Sequence, residues 1–184
     1  PATVSLVPAS VVLGVGGVGD VDIVVAGAVG LYAAQVRLTF PNQLVQVIDA
    51  EPGIAGTQIR AGDIFDDKAL YTILNAAENG TMEYIATLAG NTPGVEGNGV
   101  LATIPLQALA AGNGQMALIQ VILCAQSGNP IPFQITGPAD VQVLAETGTP
   151  TQPPTNTPTP TRTVTSPPTP TPSVTPSPTA QPSS

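Results

Sequence analysis

The acidic residues that lie closest together are the first candidates for chemistry. Asp63, Asp66 and Asp67 fall within five positions, and Lys68 follows them directly. Carboxylate oxygens are the ligands that Ca²⁺ prefers, so these three residues are a candidate calcium site. The segment lacks the EF-hand spacing and its final Glu, and a solvent-exposed turn partly neutralised by Lys68 explains the same residues. We favour the turn and keep calcium as the alternative.

A second acidic pair, Asp20 and Asp22, lies two positions apart, which places both side chains on one face of a strand. Two carboxylates on one face are the catalytic groups of many glycosidases. However, the chain has no Trp to stack against a sugar and only six aromatic residues, three Tyr and three Phe. We therefore expect exposed charges that keep a strand edge soluble.

Two single residues have reactive side chains. Cys124 falls in the apolar segment 121–125 with no basic neighbour to stabilise a thiolate, so we expect a buried, inert thiol. Lys68 could form an isopeptide bond with an Asn, but the sequence identifies no partner for it. We expect neither residue to be catalytic.

The composition excludes most other chemistry. The chain has 184 residues, no His, one Cys and a formal net charge of −8, and only 9% of its residues are charged. Without His there is no Ser-His-Asp or Cys-His catalysis, and a lone Cys forms neither an internal disulfide nor a thiolate cluster. The negative charge opposes binding to phosphate backbones. We expect no enzyme, no cofactor, no resident metal and no nucleic-acid partner.

The elements that position these residues are predicted to be strands. Apolar and polar residues alternate in 31–40, with Tyr32, Ala34, Val36, Leu38 and Phe40 on one face, and no stretch shows a 3.6-residue period. The other predicted strands are Val4–Val7, Val11–Leu13, Val21–Val25, Leu44–Ala50, Leu70–Ala76, Met82–Ala89, Val100–Leu109, Gln115–Ala125, Ile131–Thr136 and Asp140–Ala145.

Gly, Pro and Asn separate the predicted strands. Asn79-Gly80 suits the two positive φ angles of a type I′ turn and predicts a hairpin over 71–88. Asn79-Gly80-Thr81 is also an N-glycosylation sequon, so glycosylation of Asn79 is a weaker alternative. Further breaks are predicted at 14–19, 52–53, 94–99, 112–114, 128–130 and 137–138.

About ten short strands at this spacing predict an all-β fold, an antiparallel β-sandwich of the jelly-roll type. A closed barrel is the alternative. No stretch reaches the ~20 apolar residues of a membrane helix, so we expect no membrane insertion. No basic segment precedes an apolar one at the start, and we therefore expect no signal peptide in this chain.

The order of segments resembles the cohesin family, over nearly all of residues 2–145. Gly19-Asp20-Val21-Asp22-Ile23-Val24-Val25 is similar to the family's G-D-x-V-x-V segment. Residues 29–44 are similar to its G-hydrophobic to Y-D-P-x-x-L segment, with Phe40-Pro41-Asn42 in place of Tyr-Asp-Pro. Residues 99–104 and 123–143 resemble its later strand and its final hairpin. The resemblance implies a non-catalytic β-sandwich that binds a protein partner, which in cellulosomes is a dockerin. It transfers no partner-contact residue to this chain.

The composition changes abruptly near residue 146. Residues 147–184 contain 12 of the 21 Pro residues, together with 13 Thr and 5 Ser. Such a segment cannot bury a core, and its composition is typical of an O-glycosylated stalk. We predict a cohesin-like domain over 1–146 and a Thr/Ser/Pro-rich tail over 147–184. The predicted O-glycosylation sites are Thr147, Thr149, Thr151, Thr155, Thr157, Thr159, Thr161, Thr163, Thr165, Thr169, Thr171, Thr175 and Thr179.

In polyproline II conformation the tail would extend roughly 118 Å, at about 3.1 Å per residue. Threonines at a period of two on a three-residue helix project on all sides, which suits a sugar-coated rod. Our leading functional prediction is a secreted, bacterial, structural or adhesive module that repeats in a glycan-coated fibre, bound to other copies of itself. The alternatives are a cohesin-type receptor for a dockerin-like domain and a carbohydrate-binding module.

Overall fold

The computed structural model describes residues 1–66 and 68–145, which form strands and no helix. The strands are β1 (Ala2–Val7), β2 (Ser10–Gly14), β3 (Val18–Thr39), β4 (Val45–Val47), β5 (Arg60–Ala61), β6 (Leu70–Glu78), β7 (Thr81–Leu88), β8 (Val95–Ala108), β9 (Gly112–Ala125), β10 (Phe133–Ile135) and β11 (Ala139–Leu144). Hydrogen bonds link them into one sheet that folds over on itself.

The folded sheet has two layers that share β3. In the first layer, the first half of β3 lies between β1 and β8, with β10 beyond β1 and with β4 and β5 beyond β8. In the second layer, the second half of β3 lies between β7 and β9, with β6 beyond β7 and with β11 and β2 beyond β9. The predicted jelly-roll β-sandwich is confirmed, and the barrel alternative is wrong.

Small aliphatic side chains from both layers fill the space between them. Val4, Val21, Ile23, Val36 and Ile104 are fully buried, each at an alternating position of its strand. Alternation places every second residue on the inner side, so a Val- and Ile-rich chain with few aromatics still forms one continuous core. The predicted facing of 31–40 is confirmed, because Ala34, Val36, Leu38 and Phe40 are buried while Tyr32 is half-buried.

Several predicted strand boundaries are wrong, most of them because glycine bends a strand instead of ending it. The segments 21–25 and 31–40, except for Phe40, belong to a single 22-residue strand that continues through Gly27 and Gly30, both at φ +67°. The predicted break at 112–114 lies within β9, and the one at 94–99 lies within β8 except for Gly94. Glycine here allows irregular pairing within a strand, with register shifts between β3 and β8, rather than ending the strand. β5 was not predicted, and the predicted strand 44–50 shortens to three residues.

The predicted hairpin turn is confirmed. Asn79 has φ +50° and Gly80 has φ +79°, the two positive angles that a type I′ turn requires, and the turn joins β6 to β7. The predicted boundary between 146 and 147 lies outside the described residues and stays a prediction.

Candidate functional site

The outward side chains of the second layer form a four-stranded surface, which we call the front face. It comprises outward residues of β6, β7, the second half of β3, and β9. Cross-strand register aligns them in four rows: Tyr71, Thr87, Ala33 and Cys124; Leu74, Ile85, Gln35 and Ile122; Ala76, Glu83, Arg37 and Gln120; Glu78, Thr81, Thr39 and Ala117.

The first two rows of the front face are mainly apolar, and three of their eight side chains are solvent-exposed while the other five are half-buried. Tyr71 is 64% exposed, Ile122 is 40% and Leu74 is 37%. Beside them, the Gln35 amide donates a hydrogen bond to Glu83 across 2.9 Å. With strands ~4.8 Å apart and side chains every ~6.8 Å on one face, the first two rows cover roughly 260 Å². An apolar patch of a few hundred Å² with a polar border is a candidate interaction surface.

The predicted acidic pair lies on the solvent side of the first layer. Asp20 forms an ion pair with Arg60, and both side chains are half exposed. Asp22 accepts a hydrogen bond from the Thr103 hydroxyl across 2.6 Å. Each carboxylate therefore has a cross-strand partner, which agrees with the expectation of strand-surface charges.

Two of the candidate calcium ligands, Asp63 and Asp66, lie in a turn that packs on β8. The Asp63 carboxylate accepts the Val100 N–H across 2.7 Å, and the Asp66 N–H donates to the Asp63 carbonyl across 2.9 Å. Asp67 lies outside the described residues. Within residues 1–66 and 68–145, no group of three His, Cys, Asp or Glu side chains could hold a metal ion. Calcium binding that includes Asp67 stays a prediction.

The other predicted site residues lie apart from one another. Cys124 is half-buried rather than buried, because Leu123 takes the inward position and turns Cys124 to the front face. Lys68 is exposed. Asn79 is exposed at the hairpin turn, and its amide donates a hydrogen bond to Glu78 across 3.2 Å. N-glycosylation of Asn79 stays a prediction, and all predicted O-glycosylation sites lie outside the described residues.

The sequence analysis missed the polar groups around the loop between β4 and β5. Asn75 on β6 holds buried Ile59 by two hydrogen bonds, accepting from its N–H across 2.8 Å and donating to its carbonyl across 2.7 Å. Gln58 is only 5% exposed, and its Oε1 atom has no hydrogen-bond partner within the described residues. The fully buried Tyr84 hydroxyl is also without one. No local sequence signal marks these groups, because their neighbours come from distant segments.

Burial raises the pKa of Tyr84 above its ordinary value of about 10. The Thr72 hydroxyl lies near the phenol and acts against this increase, although the pair does not meet the geometry of a hydrogen bond, and the Glu51 carboxylate adds to the increase. The phenol is therefore neutral at any ordinary pH, and its buried oxygen lies behind the polar loop.

Solved cohesin structures share this fold. A type II cohesin domain from the cellulosome of Acetivibrio cellulolyticus superposes with a TM-score of 0.66 at 15% identity, covering 76% of this chain and 94% of that one. A non-cellulosomal cohesin from the archaeon Archaeoglobus fulgidus gives 0.60 at 13%, covering 78% and 91%. The cohesin of a type II cohesin–X–dockerin complex from Acetivibrio cellulolyticus gives 0.60 at 15%, covering 78% and 98%. This chain has a cohesin-like fold.

Neither a protein-family model nor a curated protein sequence matches the chain. At such low identity, structural similarity defines the fold alone, and function has to be argued from this chain's own surface. In the described part of the chain, no helix is long and apolar enough to cross a membrane.

Proposed function

We propose that the chain is an extracellular, non-catalytic module that binds a folded protein domain on its front face. The observation that carries the proposal is the row Leu74, Ile85, Gln35 and Ile122, which crosses four strands on the solvent side of a rigid sheet. An apolar row beside a polar row with Glu83 and Arg37 has the composition of a protein interface, which surrounds an apolar centre with polar groups. The complex of a similar cohesin with a dockerin supports this type of partner.

A paired substitution tests the front face. Ile122 is 40% exposed on β9, and Ile135 is 44% exposed on β10 in the other layer. The full chain is immobilised, culture fluid of the source organism is passed over it, and captured proteins are identified by mass spectrometry. We expect a secreted partner that Ile122→Glu fails to capture and that Ile135→Glu still captures. Equal capture by both variants would refute the role of the front face.

The fibre subunit remains a second candidate, supported by the open edges of the described layers. Among residues 1–66 and 68–145, β10 pairs only with β1 and β2 pairs only with β11, so each of these strands has one side without a described partner strand. Val12 on β2 is 53% exposed. A head-to-tail contact between such edges does not close and gives a filament. Electron microscopy of the purified native protein should show filaments, and dispersed monomers alone would exclude this candidate.

A further inference from the structure

An apolar cleft lies at one end of the first layer, which we call the upper end. It has a volume of about 250 Å³ and opens between the start of β1, the bend of β3 and the segment before β10. Val29 in this cleft is 68% exposed, the highest value among the large apolar side chains of the described residues. The residues that border the cleft have no charged or polar side chain: Pro1, Ala2, Gly27, Val29, Pro130, Ile131 and Pro132.

The backbone around the cleft offers few hydrogen-bond donors. The N–H groups of Ala2, Gly27 and Ile131 already donate to acceptors of the domain, across 2.9, 2.7 and 2.8 Å. Pro130 and Pro132 have no N–H group to offer. A polar ligand would give up hydrogen bonds to water here without replacing them, which costs free energy, whereas an aliphatic group would not. The cleft therefore favours an aliphatic occupant.

The opposite end of the sandwich, the lower end, is aliphatic as well. The turn between β2 and β3 lies there, where the Val15 N–H donates to the Leu144 carbonyl across 3.1 Å and the Gly16 N–H donates to the Ala108 carbonyl across 2.9 Å. Surface turns are normally rich in Asn, Asp and Ser. The lower end instead combines three segments that contain only Gly, Ala, Val and Leu: 14–18, 108–112 and 143–145.

Three large side chains of the lower end are exposed to solvent. Val18 is 64% exposed, Leu144 is 49% and Leu109 is 43%. The formal net charge of −8 opposes contact between copies of the chain. Neither the three segments of the lower end nor the residues that border the cleft carry a charged side chain. A contact between the two ends is thus the one in which this repulsion is least and apolar surface is buried on both sides.

The two ends are separated by the length of the first half of β3. Val18 begins β3 at the lower end, and Gly27 borders the cleft. About nine residue steps of ~3.4 Å place them roughly 31 Å apart. Two matching surfaces at opposite ends of a molecule join copies in series, because each contact leaves one cleft and one lower end free. A foreign partner would account for one of the two ends only.

We propose that the cleft receives the lower end of a second copy of this chain, with the exposed leucines of that end against Val29 and the prolines. The proposal rests on the fibre candidate and names the two surfaces of its head-to-tail contact. β10 begins directly after Pro132 and β2 ends at Gly14, so both edge strands extend to these ends. With about five strands ~4.8 Å apart, each end offers only a few hundred Å², so a single contact is weak.

Sedimentation velocity of the full chain at increasing concentration tests the contact. We expect oligomers whose size grows with concentration. Val29→Glu at the cleft and Leu144→Glu at the lower end should each weaken association at least about tenfold, because the contact would bury an unpaired carboxylate. Both positions are exposed, and circular dichroism checks that the variants fold. A full chain that stays monomeric at millimolar concentration, or variants that associate as strongly as the unsubstituted chain, would overturn the proposal.

A mixture of the two variants tests the head-to-tail arrangement. Copies with Val29→Glu keep an intact lower end, and copies with Leu144→Glu keep an intact cleft. The mixture should therefore form dimers and nothing larger, although each variant alone stays monomeric. A mixture that also stays monomeric would show that these two ends do not bind each other.

Two controls separate this contact from other contacts of the chain. Ile122→Glu on the front face should leave association unchanged, and Val29→Glu should keep the front-face capture, so each proposal fails independently of the other. A synthetic peptide of residues 147–184, added in excess, should not dissociate the oligomers. Dissociation by this peptide would identify the tail as the occupant of the cleft and overturn the proposal. Filaments that persist in both end variants would retain the fibre candidate and refute these two ends as its contact.

Discussion

At the scale of single residues, Asn75 makes the most specific structural contact. Its side-chain amide forms hydrogen bonds with both the N–H and the carbonyl of Ile59. Removing it with Asn75→Ala leaves a buried N–H and a buried carbonyl unpaired, so we expect a loss of about 2–4 kcal/mol in the free energy of unfolding. Urea unfolding followed by circular dichroism measures this. Asn91→Ala is the matched control, because Asn91 only accepts an exposed bond from Gln126 and its loss should cost less than about 0.5 kcal/mol. Similar losses in both variants would contradict the assigned role of Asn75.

Tyr84 gives a pH prediction whose sign follows from its raised pKa. The folded state keeps the phenol protonated at a pH where the unfolded chain, with its ordinary pKa of about 10, already ionises. The contribution of Tyr84 to the free energy of unfolding is fully present below pH ~10 and decreases as the pH rises above that value. Tyr84→Phe should therefore lessen the alkaline loss of stability.

The same variant tests whether the Tyr84 hydroxyl is unpartnered. At pH 7, Tyr84→Phe should be neutral or stabilising by up to about 1 kcal/mol, because it removes a buried oxygen without a hydrogen-bond partner. Tyr71→Phe, on the exposed front face, is the control for the measurement at pH 7 and should change the free energy of unfolding by less than about 0.5 kcal/mol. An alkaline profile of Tyr84→Phe identical to that of the unsubstituted chain would refute the assignment.

The sequence predicted correctly the features that depend on adjacent residues, and it missed those that depend on distant segments. Asn79-Gly80 is confirmed as a turn because its φ preference is a property of two adjacent residues. Asn75 and Gln58 were missed because their positions depend on a loop and a strand that meet only after folding; Asn75 and its partner Ile59 are 16 residues apart. The apolar row of the front face was missed for the same reason, since register across four strands is a tertiary property.

At the scale of elements, β3 shows why alternation predicted strands but not their length. The sequence predicts separate strands over 21–25 and 31–40, yet the chain between them, with Gly27 and Gly30, lies inside one strand that passes from the first layer to the second. Single-strand alternation carries no information on whether a glycine ends a strand or bends it. Contact with the neighbouring chain segment determines whether the strand ends or bends, because Gly94 lies against the backbone of Gly30 at the bend.

Gly94 therefore tests the close approach of the two elements. A Cβ atom at this position would lie 2.4 Å from the Gly30 carbonyl, a backbone atom that cannot move without shifting β3. Gly94→Ala should cost about 1–3 kcal/mol or more of unfolding free energy, as overpacking does. Gly137→Ala is the control, since no atom lies within 4 Å of its Cβ. Thermal unfolding of both variants measures the difference, and equal midpoints would show that the bend relaxes freely.

At the scale of the whole molecule, we predict two parts with different functions, a domain that binds a protein partner and a glycosylated tail. If the 13 threonines after Glu146 carry O-glycans, the native protein should have a mass well above the 18.4 kDa of the bare chain. Intact-mass spectrometry measures this on material from the source organism. A chain ending at Glu146, secreted by the same cells, should have its unmodified mass. The bare mass for the full chain would remove the glycosylated stalk from the proposal.

Removing the tail also tests whether the binding module is self-sufficient. Among the described residues, the buried core cluster runs from Ala2 to Val143, and we predict that this core folds without residues 147–184. A chain ending at Glu146 should unfold with the same urea midpoint as the unglycosylated full chain. It should also keep the front-face capture that Ile122→Glu abolishes. If the shortened chain keeps its stability but loses capture, the partner binds the tail, and the front face is not the receptor surface.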